Sequence, residues 1–254
     1  MKSVSFGNMN NLKVLLFDLE TSPNLSWTFG GKYEVNVTAF EKEGYILCFA
    51  YKWLGEKTVH SYSLRDLTRK QLVTKLRDLF DEADVLIAHN GNSFDIKMSN
   101  REFTYFKLTP PSPYRTLDTK VIAKNKFRFT SNKLDDLGEY LGLGRKIDTG
   151  GIELWLGCME GDTNAWSKMI KYNKQDVVLL EKVYLRLLPY IERHPRLDKT
   201  NNKTCPNCGS NKVEARGYLE LSNGFRRHKY WCRNCGRWSS GEQERTIDKE
   251  NILR

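Results

Sequence analysis

Two sets of residues in this sequence have types and spacings that could do chemistry. The first is Asp18 and Glu20, one residue apart at the end of the apolar run Leu12-Lys13-Val14-Leu15-Leu16-Phe17. That run reads as a buried strand, and alternation along a strand sends both carboxylates the same way. Paired carboxylates at the tip of a hydrophobic strand repel each other and resist desolvation; a divalent cation between them relieves both costs. A strand ending in a solvated acidic turn accounts for the pair equally well. The second set is Cys205-Pro206-Asn207-Cys208-Gly209 and Cys232-Arg233-Asn234-Cys235-Gly236. Each knuckle turns two thiolates toward one point, and two knuckles make a tetrahedral site for one structural Zn²⁺. A redox dithiol pair or disulfides are the other uses of such spacing. A module this small has no core of its own, so bound metal would drive its folding.

Two further segments decide how the first pair is read. Asp95 closes His89-Asn90-Gly91-Asn92-Ser93-Phe94-Asp95, where an apolar strand gives way to a helix. Capping and the helix dipole are reason enough for an acid there. Tyr172-Asn173-Lys174-Gln175-Asp176 sets a phenol and a carboxylate on one helical face by i, i+4 spacing, which a half-buried tyrosine beside a solvated acid also satisfies.

The elements that must position these groups follow from periodicity. Residues 45–53 read as a strand with 57–62 as its hairpin partner, and His60 as an ordinary strand residue. The stretch 26–37 is a second strand or a loop. Leu72, Leu76, Leu79 and Phe80 keep helical spacing across 68–83, and 84–89 is an apolar strand suited to a parallel, covered position. A helix over 95–106 is broken by Pro110-Pro111-Ser112-Pro113, and a strand-to-helix unit spans 114–129. A helix over 133–143 stops at Gly144, and a long helical region runs from Thr163 to Tyr190. Hairpins followed by alternating strands and helices predict an α/β fold with a mixed sheet, whose active site lies beyond strand carboxyl ends. The polar, proline-containing stretch 196–203 reads as a linker. It divides a domain over 1–195 from the cysteine module and tail over 204–254.

A chain of 254 residues with 39% hydrophobic residues can build such a core. No apolar run reaches the ~20 residues of a membrane span, and Met1-Lys2-Ser3-Val4 opens no signal-peptide pattern, so a cytoplasmic protein is expected. The net charge of +10 favours an anionic polymer as partner. Within 201–241 eight Lys or Arg stand against two Glu. Arg226, Arg227, His228 and Lys229 interleave with Phe225, Tyr230 and Trp231, and Arg233, Arg237 and Trp238 follow. Basic groups meet phosphate while aromatics stack on bases; a solvated hairpin packed on its metal site, or a protein-docking surface, are the other readings. Cys48 and Cys158 are expected to be buried thiols.

In order and spacing, Asp18-x-Glu20, Asn90-x-x-x-Phe94-Asp95 and Tyr172-x-x-x-Asp176 resemble the three motifs of the DEDDy exonucleases. These belong to the ribonuclease-H-like superfamily, which includes the proofreading domain of family B DNA polymerases. Thr116-Leu117-Asp118-Thr119, Ser131-Asn132-Lys133-Leu134-Asp135-Asp136-Leu137 and Ile147-Asp148-Thr149-Gly150-Gly151 further resemble the bacterial and phage YprB-like branch. The resemblance covers residues 12 to 190, with His89 standing where polymerase domains often carry tyrosine.

The resemblance implies a 3′-to-5′ exonuclease with a ribonuclease-H-like sheet and two Mg²⁺ or Mn²⁺ ions. Asp18, Glu20 and Asp176 would hold one ion, and Asp18 with Asp95 the second. Tyr172, its phenol pKa near 10, suits orienting the attacking water rather than acting as base. Asn90 and Phe94 would contact the terminal nucleotide, with Asp118 in a supporting position. Arg226, Arg227, Lys229, Arg233 and Arg237 are the module's candidate nucleic-acid contacts. DNA is favoured over RNA, in a monomer that has a replication or repair factor as a possible protein partner. An RNA exonuclease or a structure-specific endonuclease on the same site are the enzymatic alternatives. A non-catalytic nucleic-acid-binding protein is the alternative of another class.

Overall fold

The computed structural model describes residues 12–29, 36–192, 194–195, 204–221 and 224–245. The proposed linker 196–203 lies outside them. Contacts divide the chain into two compact units, Lys13–Val183 and Tyr184–Arg254, the latter together with Met1–Leu12.

The first unit is a mixed sheet flanked by helices, the α/β architecture expected. Strands β1 (Val14–Thr21), β2 (Leu25–Thr28), β3 (Val37–Lys42), β4 (Ile46–Trp53) and β5 (His60–Ser63) come first. Helix α1 (Arg69–Glu82), β6 (Val85–Ala88), α2 (Asp95–Tyr105), β7 (Arg115–Asp118) and α3 (Thr119–Lys126) then alternate. Helices α4 (Leu134–Tyr140), α5 (Glu153–Glu160) and α6 (Thr163–Leu187) complete the series, and a 3₁₀ turn covers Leu188–Tyr190. The main sheet runs in the order β5-β4-β1-β6-β7. β1 pairs antiparallel with β4 and parallel with β6, so it is central. All four residues of β6 are buried, which is why that stretch carries no polar alternation. β2 and β3 form a separate two-stranded sheet.

Alternation along β1 decides what each face meets. Leu15, Phe17 and Leu19 pack with Leu72, Leu76 and Phe80 of α1 and Phe103 of α2. A second cluster joins Leu47 and Cys48 of β4 to Leu154 and Cys158 of α5 and to Trp166, Met169 and Tyr172 of α6. Asp18 and Glu20 have the opposite parity to Leu15, Phe17 and Leu19, so they leave β1 on the other face.

Local signals account for most boundaries. α1 starts on a reciprocal capping box: Gln71 N–H donates to Thr68 Oγ1, and Thr68 N–H donates to Gln71 Oε1 at 3.0 Å. α4 corrects the expectation of a helix running to Gly144. It ends at Tyr140, because Gly142 takes a left-handed φ of +66°. That turn lets Leu143 N–H donate to Gly138 O and Gly142 N–H to Glu139 O, a Schellman closure. α5 follows Gly150-Gly151 without a side-chain cap and was not expected at all.

In the second unit β8 (Val213–Leu221), β9 (Phe225–Cys232) and β10 (Trp238–Arg245) make an antiparallel sheet in the order β10-β9-β8. The hairpin between the knuckles was expected; its third strand was not. The residues just before the module are tied into it. Asn207 Nδ2 donates to Leu188 O at 3.0 Å, and Arg237 donates to Pro189 O at 2.9 Å. Among the described residues no helix is long and apolar enough to cross a membrane.

Candidate active site

Three elements converge on the carboxylates. β1 supplies Asp18 and Glu20, the start of α2 supplies Asp95, and one turn of α6 supplies Tyr172, Asn173 and Asp176. One carboxylate oxygen from each of Asp18, Glu20 and Asp176 lies within 4.8 Å of the other two. Asp95 is not in that trio but lies near enough to repel Asp18, and it is held by the backbone: its Oδ1 accepts from Leu19 N–H at 3.1 Å. β1 and β6 are paired only over Val14–Leu16, so this amide lies past the end of their ladder. Asp176 is fully buried.

Two residues not singled out in the sequence complete the cluster. Asn173 Nδ2 donates to Asp18 Oδ2 at 2.8 Å and to Asp18 O at 3.2 Å, fixing that carboxylate's orientation from the facing helix. It lies inside the Tyr172–Asp176 motif, and its buried position on α6 is the signal that could have found it. Lys146, from the segment between α4 and α5, donates to Tyr172 Oη at 3.0 Å and to Asp176 Oδ2 at 2.5 Å. It is separated from both by a whole helix, and nothing local marks it. Trp155 of α5 reaches Glu20, favouring its charged form, and meets the Tyr172 ring edge-on at 6.3 Å.

Electrostatics follow from burial and crowding. Burial first, then repulsion from Asp95, Glu20 and Asp176, holds the Asp18 carboxyl well above its usual range. Burial and Asp176 push Glu20 up to about 8 against the pull of Lys146. Burial raises Asp95 to about 6, with the Leu19 amide pulling it back. Asp176 is raised by burial despite its ion pair with Lys146. Burial works against the Lys146 ammonium, but Asp176, Asp18 and Tyr172 outweigh it and keep it charged. Burial and Asp176 drive the Tyr172 phenol upward, so it keeps its proton at neutral pH.

These residues fit a hard divalent cation. Four carboxyl groups gather around a single ammonium among the described residues, and Asp176 Oδ1 is buried with no hydrogen-bond partner. Lys146 occupies the other oxygen, so Oδ1 is left for a ligand. An all-oxygen donor set suits Mg²⁺ or Mn²⁺ rather than zinc.

Around the cluster, Asn90 and Phe94 occupy the loop from β6 to α2. Asn90 takes a φ of +70°, its N–H donating to Asp118 Oδ1 at 2.9 Å, while Asn92 N–H donates to Asp118 Oδ2 at 3.1 Å. Asp118 also caps α3 through Lys120 N–H at 2.9 Å, so it braces this loop rather than joining the trio. Phe94 is 43% exposed immediately before Asp95, with its ring open to solvent. His89 is locked between Thr119 Oγ1 and Asn132 O at 2.9 Å each, and burial lowers its pKa to about 4, so it stays neutral. A cleft of about 440 Å³, lined by Asp135, Arg145, Lys146, Asp148 and Tyr172 among others, opens beside the phenol.

In the second unit the Sγ atoms of Cys205, Cys208, Cys232 and Cys235 also lie within 4.8 Å of one another, all buried. Cys205 and Cys235 are 3.6 Å apart, Cys208 and Cys232 3.7 Å. These are free thiols, with separations near the ~3.8 Å edge of a tetrahedron of Zn–S bonds of about 2.3 Å. The knuckles are built alike: Gly209 N–H donates to Cys205 O and Gly236 N–H to Cys232 O, both at 2.9 Å. Gly209 and Gly236 take φ of +66° and +77°, which L side chains avoid.

The module's five basic candidates do not form one surface. Arg227 and Lys229 alternate onto one face of β9. Arg226 leaves from the other and pairs with Glu244 at 2.8 Å. Arg233 forms an ion pair with Glu214, and Arg237 is spent on Pro189 O.

A family model described as RNase_H_2, of the RNase_H superfamily, matches residues 15–188. Among solved structures, the family B DNA polymerase from the hyperthermophilic archaeon Pyrobaculum calidifontis is similar at a TM-score of 0.53 and 15% identity. The match covers 71% of this chain and 25% of the polymerase, so the chain spans about a quarter of that protein's length. No curated protein matches.

Proposed function

The chain belongs to the RNase H superfamily, and from that premise we propose that it is a metal-dependent nuclease that shortens nucleic acid from the 3′ end. The observations that carry the proposal are the carboxylate oxygens of Asp18, Glu20 and Asp176 gathered within 4.8 Å of one another and the buried, unpartnered Oδ1 of Asp176. Asp18, Glu20 and Asp176 would hold one Mg²⁺ or Mn²⁺ ion, and Asp18 with Asp95 a second. When bound, the ions supply Lewis acidity to the phosphate and to the attacking water.

The chain's own residues do the positioning. Asn173 fixes Asp18, and Lys146 holds Asp176 by one oxygen so that the other is presented. Tyr172 keeps its phenolic proton, hydrogen-bonds the attacking water and orients it toward phosphorus. Phe94, exposed beside Asp95, stacks on the terminal base, and Asn90 contacts the same nucleotide. The four cysteines would hold a structural Zn²⁺ that folds the module, which with its tail makes up 204–254, and 196–203 would link it to the nuclease domain. DNA is the favoured polymer, because the three motifs resemble those of family B DNA polymerase proofreading domains and a family B DNA polymerase is among the similar solved structures.

Digestion of single strands, duplexes and branched molecules labelled at either end, in DNA and RNA, tests the reading. A ladder receding from the 3′ end, lost in Asp176→Ala, is the expected result. Discrete internal cuts would replace it with a structure-specific endonuclease, and binding without cleavage with a non-catalytic protein.

A further inference from the structure

The two faces of the three-stranded sheet differ in charge, although the sequence runs their residues together. Cross-strand partners share a face. Trp231 pairs with Trp238 on one side and Glu214 on the other, and Arg227 pairs with Leu219 and Gln243. Phe225 pairs with Arg245, whose guanidinium lies 5.5 Å over its ring, and Arg216 lies 5.5 Å over Trp231. This first face therefore carries Arg216, Arg227, Lys229 and Arg245 against the single acid Glu214. It also carries two neighbouring tryptophans, and Trp238 is 52% exposed.

The second face is built differently. Tyr218, His228 and Tyr230 follow one another along it as tilted neighbours, with Tyr218–His228 centroids 4.3 Å and His228–Tyr230 centroids 5.9 Å apart and Arg226 over Tyr218 at 4.1 Å. Arg226 pairs in register with Glu220 and Glu244, and Glu242 lines the same groove of about 370 Å³ beside Pro206. Its aromatics contact one another and Arg226, and that one arginine faces three acids.

From this asymmetry we infer that the Trp231–Trp238 face of the three-stranded sheet binds single-stranded nucleic acid, and that the opposite face does not. Cations matched to phosphate surround flat rings that can take an unstacked base, whereas a duplex keeps its bases stacked and offers only charge. The inference deepens the proposed function and rests on it for the class of ligand. It does not rest on cleavage, so the test is a binding measurement.

Fluorescence anisotropy of the full chain, with no Mg²⁺ or Mn²⁺ added, compares an oligothymidylate of about 20 nucleotides with an abasic strand of the same length and with duplex. The parent should bind oligothymidylate roughly tenfold more tightly than the abasic strand, since stacking adds to charge. Trp238→Ala should erase that preference while leaving the abasic affinity within about twofold. Arg227→Gln with Lys229→Gln should weaken both and lower the salt slope by about 1.4, at ~0.7 per lost phosphate contact. Arg226→Gln with His228→Gln on the other face should change neither by more than about twofold. Retained metal content and melting temperature establish that each variant is folded. Equal affinity of the parent for thymidylate and abasic strands, tighter binding of duplex, or equal losses from the two faces would overturn the assignment. A cleavage assay that fails while these differences hold would remove the nuclease reading and leave the face standing.

Discussion

The two units handle like charge in opposite ways. In the first, Asp18, Glu20, Asp95 and Asp176 are drawn into one buried place, where the other three each raise the cost of ionising Asp18. In the second, arginines and lysines spread over an open sheet, where solvent screens them. Buried like charge is expensive and is kept where a counter-ion makes it useful; surface like charge is cheap and suits a mobile polyanion. The first arrangement fits chemistry at one point, the second a grip along a strand. Chemistry and grip should therefore be separable.

The largest effect expected is from Cys205→Ser. Structural zinc in small modules is worth ~10–16 kcal/mol in apparent binding free energy, so losing a ligand should unfold the three-stranded sheet. Hydrogen exchange should show β8–β10 unprotected while β1, β4 and β6 stay protected. Turnover of a short oligonucleotide at saturation should persist. Loss of protection in β1 as well would show that the units do not fold separately.

Next in size, Asp18→Ala or Asp176→Ala should lower cleavage by about 10³-fold or more and leave strand affinity within about twofold. Parallel loss of both would contradict the division of labour. Tyr172→Phe should cost about 10–100-fold in kcat with little change in KM, as a lost positioning hydrogen bond does. An undiminished kcat would remove the phenol from the mechanism.

The smallest effect concerns stability and pH. Glu20 has a folded pKa of about 8 against a reference of 4.5, so the folded state binds the extra proton in between. Its contribution is fully present below the reference value and is lost as pH rises through 8, so stability falls across that window. Without divalent ions the first unit's melting temperature should drop by a few degrees between pH 5 and 8. Glu20→Gln should flatten that slope, and added Mn²⁺ should oppose it. A melting temperature that rises over this range in the ion-free protein would mean that Lys146 compensates the cluster fully.

Much of this was legible in the sequence, for identifiable reasons. β6 could be read because a strand covered on both faces has no polar positions, and α1 because Thr68 and Gln71 cap it by adjacent contacts. Asp18 and Glu20 stood out because acids rarely interrupt an apolar strand. Lys146 was not legible, since a lone lysine near a glycine pair looks the same whether it meets solvent or Asp176. β10 was missed because Trp238-Ser239-Ser240-Gly241-Glu242-Gln243-Glu244-Arg245 has no apolar residue after Trp238, so its alternating half-burial leaves no hydrophobic alternation to read. The grouping of Arg226 with Arg227 shows the same limit. Neighbours in sequence are opposites on a strand, and only pairing registers reveal which face each joins.

The hydrogen bond from Leu19 to Asp95 bears on how such motifs are inherited. A backbone amide past the end of the β1–β6 ladder needs an acceptor at position 95 whether or not any ion binds nearby. Removing that acceptor leaves a buried donor unsatisfied, at ~1–3 kcal/mol. A descendant that abandoned catalysis would still be selected to keep Asp95 or to replace it with asparagine, while Glu20 could drift. Retention of the second-motif acid is thus poor testimony for activity in such a lineage, and Glu20 is the more telling witness.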